Sequence, residues 1–332
     1  MDPLLAPLCN FYSLGSALDT PERIAGGLVH RLYRVQTSRG QFAIKILSSH
    51  VLSEPQTRHR IAQGERIAAS VSRAGLPAVA ALQVAGEALH QIGDEMVLVY
   101  PWIDGQSLPS SSAGPHRATQ IGAILGKMHD LPWDFPELAP PVRQTFSDEE
   151  WTHLAQQSSQ QEADWAASLK SALFDLARWG QLYTQAQHAL GDRWVISHGD
   201  LHQQNVLWAS ENSPWLIDWE NAGWQQPAKE AVVCALEWSG FVEGEPDLPT
   251  FRAFLQGYRS ERALNTEDAQ HGLDACFGNW LGWLRFCTQR ALGHLTQDPQ
   301  ERTEGARQVE GTLATMRRVE KVFPVLRRAC QE

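Results

Sequence analysis

The stretch VISHGDLHQQNVLWASENSPWLIDWENAGW, Val195 to Trp224, decides how the rest of the chain is read. A short apolar run, Trp194-Val195-Ile196, leads into the polar cluster His198-Gly199-Asp200 and then Asn205. A second run, Trp215-Leu216-Ile217, delivers Asp218 and Glu220. Two short strands flanking a loop bring Asp200, Asn205 and Asp218 to one edge. Two carboxylates and a carboxamide are hard oxygen donors. They suit a magnesium ion whose other positions are filled by phosphate oxygens and water. A carboxylate near such an ion but free of it can take a proton from a hydroxyl. These groups are the minimum equipment for moving a phosphoryl group. His198 and His202 stand four apart, but on a loop that spacing places them on no common face, so a zinc site is poorly supported.

The segment resembles the catalytic segment of the aminoglycoside phosphotransferase and choline kinase family, a branch of the protein-kinase-like fold. The residues that carry the likeness are His198, Gly199 and Asp200, Asn205 five positions after Asp200, and Asp218 in IDWE. The resemblance implies Asp200 as catalytic base, Asn205 and Asp218 as magnesium ligands, and His198 as a loop-shaping residue. It runs from about Glu22 to Glu237, with its specific motifs confined to short segments. The implied architecture is α+β and bilobal, with a small β-sheet N-lobe and a larger, mainly helical C-lobe. ATP, or GTP in its place, would lie between them with magnesium.

Ahead of this segment the sequence supplies the parts that a nucleotide would need. After a short helix within residues 1–20, the chain reads as a β-hairpin. One arm runs through Leu28, Tyr33 and Val35, a turn follows at Ser38-Arg39-Gly40, and the other arm is Phe42 to Leu47. Gly26 and Gly27 permit close backbone approach to a ligand, although a glycine pair can equally be a plain turn. In AGGLVHRLYRV they resemble the family's shortened nucleotide loop. Lys45 sits in an otherwise apolar strand, where a charge is costly without a partner. The resemblance makes it the lysine that holds the α- and β-phosphates, paired with a glutamate on the next helix. Residues 57–74 read as that helix, ending at Gly75, with Glu65 the candidate partner and Glu54 its competitor.

Short strands are expected at 76–80 and 88–92 and a stronger one at 95–100. Pro101 to Gly105 then punctuates the chain. This resembles the family's hinge, and Tyr100, Pro101, Trp102 and Ile103 would line the adenine slot. The lobe boundary is placed here, giving a nucleotide-binding lobe over 1–105 and a catalytic and substrate-binding lobe over 106–332, joined through SLPSSSAG.

The remainder reads as helical. Ile121, Leu125 and Met128 mark one apolar stripe, and Leu173, Leu176, Trp179 and Leu182 another. A helix over Ala231 to Trp238 carries Glu237, and further stripes fall at Phe277, Trp280, Leu281 and Leu284 and at Val309, Leu313 and Met316. Thirteen tryptophans serve either as core packing or, in part, as faces for a cationic substrate.

Composition bounds the function. A chain of 332 residues with 43% hydrophobic and 20% charged residues is an ordinary globular protein, long enough for one large domain or two ordinary ones. No apolar run reaches bilayer length, and the amino terminus lacks the pattern of a secretory signal, so a cytoplasmic location and no membrane partner are expected. Five scattered cysteines form no CxxC pair and suggest idle thiols in a reducing compartment. Residues 1–105 carry nine Lys/Arg and nine Asp/Glu, so the net charge of −10 lies wholly in 106–332. That disfavours nucleic acid. It either attracts a small cationic, hydroxylated substrate or simply aids solubility.

The substrate expected first is an antibiotic, an aminoglycoside or a basic peptide. AGGLVHRLYRVQTSRGQFAIK also resembles the nucleotide-binding lobe of the viomycin and capreomycin kinase group. Glu220 and Glu237 are the candidate substrate contacts. The alternatives are a metabolic kinase for choline, ethanolamine or homoserine, and a catalytically silent nucleotide-binding regulator. The sequence leaves oligomeric state open.

Overall fold

The structure is a computed structural model and describes residues 2–24, 30–48, 55–111, 113–133, 135–139, 141–241 and 244–331. The chain forms two compact units, the first of residues 1–110, 127–139 and 195–224, the second of residues 111–126, 140–194 and 225–332. The expected α+β character is present, with a β-sheet N-terminal region and a largely helical C-terminal part.

The first unit opens with α1 (Asp2–Phe11), followed by β1 (Glu22–Ile24), β2 (Arg31–Thr37) and β3 (Gly40–Ile46). The hairpin turn falls where the sequence predicts it, with Thr37 opposite Gly40 across Ser38-Arg39. After α2 (Pro55–Arg73) come β4 (His90–Ile92) and β5 (Glu95–Pro101), and the antiparallel sheet has the order β1-β2-β3-β5-β4. Side chains on a strand alternate between faces, and both faces of this sheet are covered. Ile44, Ile46, Val97 and Val99 pack with Leu8, Cys9, Tyr12 and Leu14 of and after α1. Leu98 packs with Ile61 of α2, Leu47 and Ala81. Lys45 lies opposite Leu98 in the register, so its charge falls on the α2 side.

Residues 76–80 do not form the expected strand. They touch Leu216 through a single bridge, with Leu216 donating to the Pro77 carbonyl at 2.7 Å and Val79 donating to the Leu216 carbonyl at 2.9 Å. Pro77 has no N–H to extend a ladder. The contact nevertheless ties this segment to the unit's second hairpin, formed further along the chain.

The second unit is helical. It comprises α3 (Pro115–His129, whose last turn belongs to the first unit), α4 (Asp148–Gln160), α5 (Ala166–Ser171) and α6 (Leu173–Leu190). In the first unit, β6 (Val195–Ser197), β7 (Val206–Ser210) and β8 (Ser213–Leu216) carry the segment that opened the sequence reading, and β9 (Gly223–Gln225, whose last residue belongs to the second unit) closes it. Then come α7 (Pro227–Trp238), α8 (Leu248–Glu261), α9 (Thr266–Ala275), α10 (Phe277–Ala291) and α11 (Pro299–Ala329). The apolar stripes read from the sequence are its core: Ile121, Leu125, Leu176, Trp179, Leu281, Leu284, Val309, Leu313 and Met316 are buried. Trp151, Trp165, Trp179, Trp208, Trp219 and Trp238 are also buried, so core packing accounts for these six tryptophans. Among the described residues no helix is long and apolar enough to cross a membrane.

One close approach in the first unit bears on the site. A Cβ at Gly64 of α2 would stand 2.1 Å from the Trp219 carbonyl oxygen, so only glycine lets the helix backbone reach the segment after β8. Gly64→Ala is therefore expected to destabilise the protein by about 1–3 kcal/mol through forced displacement of packed backbone. A melting temperature lowered by several degrees checks this; an unchanged one contradicts the contact.

Candidate active site

Strand β6 is buried along its length, and His198, the residue after it, is itself fully buried. Its Nε2 lies 2.9 Å from the Ile217 carbonyl. A carbonyl can only accept, so Nε2 carries the proton. The ring also packs on Trp219 at 4.5 Å between centroids. His198 thus joins the two halves of the segment, the loop-shaping position expected of it.

Asp200 follows Gly199, which takes φ +76°. The Asn205 side chain donates to the Asp200 backbone carbonyl at 2.8 Å and approaches its carboxylate at 3.4 Å. Asn221 donates to the same carboxylate oxygen at 3.2 Å. His202 Nδ1 accepts from the Gln204 amide at 3.2 Å and caps the short helical turn that presents Asn205. With its Nδ2 committed to Asp200, Asn205 has its Oδ1 left as the acceptor end. Antiparallel β7 and β8 follow, and the Ile217 amide donates to the Asn205 carbonyl at 2.9 Å. Asp218, the next residue, adopts φ 64° and ψ 69°. This left-handed conformation is one that aspartate tolerates better than most residues, yet it stores strain of about 1–3 kcal/mol. The neighbouring bonds hold it there, and its side chain remains 46% exposed.

Lys45, with a side chain only 15% exposed, places Nζ 3.1 Å from Asp218 Oδ1 and in a short contact with Glu220 Oε1. Burial works against its charge, but the two carboxylates outweigh it and hold its pKa above the ordinary lysine value. Burial likewise pushes the Glu220 carboxyl up, but His30 and Lys45 overcome this and bring it down to about 2. His30 escaped the sequence reading. It lies 3.4 Å from Glu220 through Nε2 and accepts from the Ser48 amide through Nδ1. Asn221 escaped it too, since neither residue belongs to a motif.

Two expectations need correction. Glu65 was expected to pair with Lys45, but its carboxylate accepts from the Tyr100 hydroxyl at 2.6 Å and from the Ala81 amide at 2.9 Å. The lysine's hydrogen bonds go to Asp218 and Glu220 because those carboxylates reach it while Glu65 already has two donors. Glu220, expected at the substrate, is committed to Lys45 and His30. Glu237 lies on α7, in the second unit. In the hinge segment, the Trp102 amide donates to the Gln41 carbonyl at 3.0 Å, so an adenine edge would be read by other groups there. The Arg34 guanidinium lies 4.8 Å over the Trp102 ring. Gly26, Gly27 and Glu54 lie outside the described residues.

The donor set fits magnesium. Among the described residues no three His, Cys, Asp or Glu side chains gather as a metal cage. A carboxylate and a carboxamide oxygen, Asp218 and Asn205, match an ion that keeps most of its coordination for phosphate and water.

The small antiparallel sheet, its covering helix and a strand lysine facing a strand–turn carboxylate define a protein-kinase-like phosphotransferase. The sequence pattern of the phosphotransferase enzyme family matches residues 20–264, and the chain belongs to that family. It is similar to proteins named homoserine kinase. That of Methylobacillus glycogenes is 22% identical over 275 residues, covering 82% of this chain and 78% of its own. That of Pseudomonas aeruginosa is 27% identical over 252 residues, covering 68% and 71%. Among solved structures, spectinomycin phosphotransferase in complex with ADP and spectinomycin matches with a TM-score of 0.67 at 14% identity, covering 96% of this chain and 98% of that one. Choline kinase from Cryptosporidium parvum matches with a TM-score of 0.57 at 13% identity, covering 93% and 91%. The protein is a small-molecule phosphotransferase of this family.

Glu65 is 2% exposed. Burial raises its pKa from 4.5 to about 7, against the opposing pull of the Tyr100 and Ala81 hydrogen bonds and of the nearby Lys45 charge. Folding thus favours the protonated carboxyl. The stability it contributes is fully present below about pH 4.5 and lost as pH rises through about 7. Glu65→Gln keeps a neutral amide in that place. Its melting temperature is expected to gain on the wild type between pH 6 and 8, and parallel curves would contradict the assignment.

Proposed function

We propose that the protein transfers the γ-phosphate of ATP, in the presence of magnesium, to a hydroxyl of a small amine-bearing compound, with homoserine-like amino alcohols first among acceptors. The observation that supports phosphoryl transfer best is the convergence of Lys45, Asp218, Asn205 and Asp200 within one unit. The curated relatives support the acceptor, since those compared are named homoserine kinase across 68–90% of this chain.

Bound magnesium supplies charge neutralisation on the phosphates. Asp218 and Asn205 would hold it, and Lys45 would steady the α- and β-phosphates. Asp200, held by Asn205 and Asn221 and 39% exposed, would orient the acceptor hydroxyl and take its proton. Catalysis of this kind is mainly positioning. The boundary at about 100–105 would separate a nucleotide-binding lobe, 1–105, from a catalytic and substrate-binding lobe, 106–332. GTP could replace ATP, and the cytoplasm is the location that suits such a kinase.

A second reading, phosphorylation of a cationic antibiotic, is favoured by one observation: the whole net charge of −10 falls in residues 106–332. The two readings separate on a panel of homoserine, choline, ethanolamine, aminoglycosides and basic cyclic peptides, assayed for phosphate transfer with ATP and magnesium. Transfer to homoserine supports the first, and transfer to an antibiotic alone supports the second. Asp200→Asn is expected to lower kcat by about 10²–10⁴-fold with nucleotide binding intact. Turnover by that variant at the wild-type rate would remove Asp200 as base.

A further inference from the structure

In this structure the partner of the nucleotide lysine is a carboxylate that is itself held from above. The antiparallel register sets Leu32 opposite Lys45 and Arg31 opposite Ile46. His30, one residue before β2, continues the alternation on the Lys45 face. Its Nδ1 lies 3.1 Å from the Ser48 amide nitrogen. An amide N–H can only donate, so Nδ1 is the bare nitrogen and the proton of the neutral ring sits on Nε2. Nε2 lies 3.4 Å from Glu220 Oε1. That same oxygen contacts Lys45 Nζ. The His30 side chain is only 7% exposed, which keeps the ring in this orientation.

Glu65, the other carboxylate of this neighbourhood, has its two oxygens occupied by Tyr100 and Ala81. Lys45 is left between Asp218 and Glu220, two like charges that repel each other. His30 faces Glu220 from the β2 side, while the Asp218 side chain stays 46% exposed. From this geometry we infer that His30 is a positioning residue which, through Glu220, sets where Lys45 presents its ammonium to the nucleotide phosphates. The inference rests on the phosphotransferase reading of the site, and it gives the Glu220 carboxylate a place on the nucleotide side.

The test is equilibrium binding of MgATP to the full-length protein by calorimetry, with melting temperature followed in parallel. His30→Asn retains an acceptor near the Ser48 amide but is too short to reach Glu220. His30→Gln carries its amide nitrogen out to about the position of Nε2. His30→Asn is expected to weaken MgATP about five- to tenfold, the scale of one lost hydrogen bond to a charged group. His30→Gln should bind within about twofold of wild type, and His30→Asn should cost nothing further in a Glu220→Gln background, because linked residues are not additive. The inference is overturned if His30→Asn binds as wild type does, if Asn and Gln weaken binding equally, or if the His30 and Glu220 effects simply add. A wild type that binds no MgATP overturns the functional reading and this inference together. Wild-type binding without the His30 pattern overturns the inference alone.

Discussion

Lys45 cannot be where it is without Asp218 and Glu220. An ammonium 15% exposed on the α2 face of a sheet loses most of its hydration, and an unpaired charge there would cost several kcal/mol. Two carboxylates from a distant part of the sequence provide the compensation, 173 and 175 residues along the chain. The pairing therefore fastens the strand–turn segment after β8 to β3. Exposed ion pairs contribute little to stability. This one matters more for position, because it fixes a cation and an exposed carboxylate 3.1 Å apart at the place where phosphates and a divalent ion would meet.

Everything around that pair restricts its movement. Ile217 is bonded on both sides, its amide to the Asn205 carbonyl and its carbonyl to His198. Asp218 is consequently delivered in a left-handed conformation that an isolated loop would relax. Trp219 fills the space beneath, its indole bonded to the Leu216 carbonyl at 3.3 Å and its backbone against Gly64 of α2. The catalytic candidates Asp200 and Asn205 are joined to the same frame by their own hydrogen bonds. Rigid support of a strained carboxylate is what preorganised charge stabilisation requires.

The sequence displayed the chemistry of this site more clearly than its wiring. HGD, Asn205 and IDWE are legible because residue type and spacing on a strand–loop–strand unit restrict what the groups can do. The hairpin around Ser38-Arg39-Gly40, α2 and β5 were legible through period-two and helical patterning. The partner of Lys45 was not, because a choice between Glu65 and Glu220 depends on which donors reach Glu65, and those come from Tyr100 on β5 and Ala81 in a loop. His30 and Asn221 act through contacts across 190 and 21 residues respectively, distances over which a single sequence carries no pattern. Residues 76–80 looked like a strand because apolar composition does not reveal that a proline leaves room for one bridge only. The acceptor is the least legible part, since net charge and distant likenesses favour different amines.

The most direct measurement of the central claim is the affinity for ATP with and without magnesium, compared between wild type and Asp218→Asn. If Asp218 is the carboxylate that holds the metal beside the phosphates, magnesium tightens binding to the wild type and that gain disappears in the variant, while binding of ATP alone persists. A variant that keeps the full gain from magnesium would contradict the account, for the metal would then be held elsewhere and the strained turn at Asp218 would have no part in phosphoryl transfer.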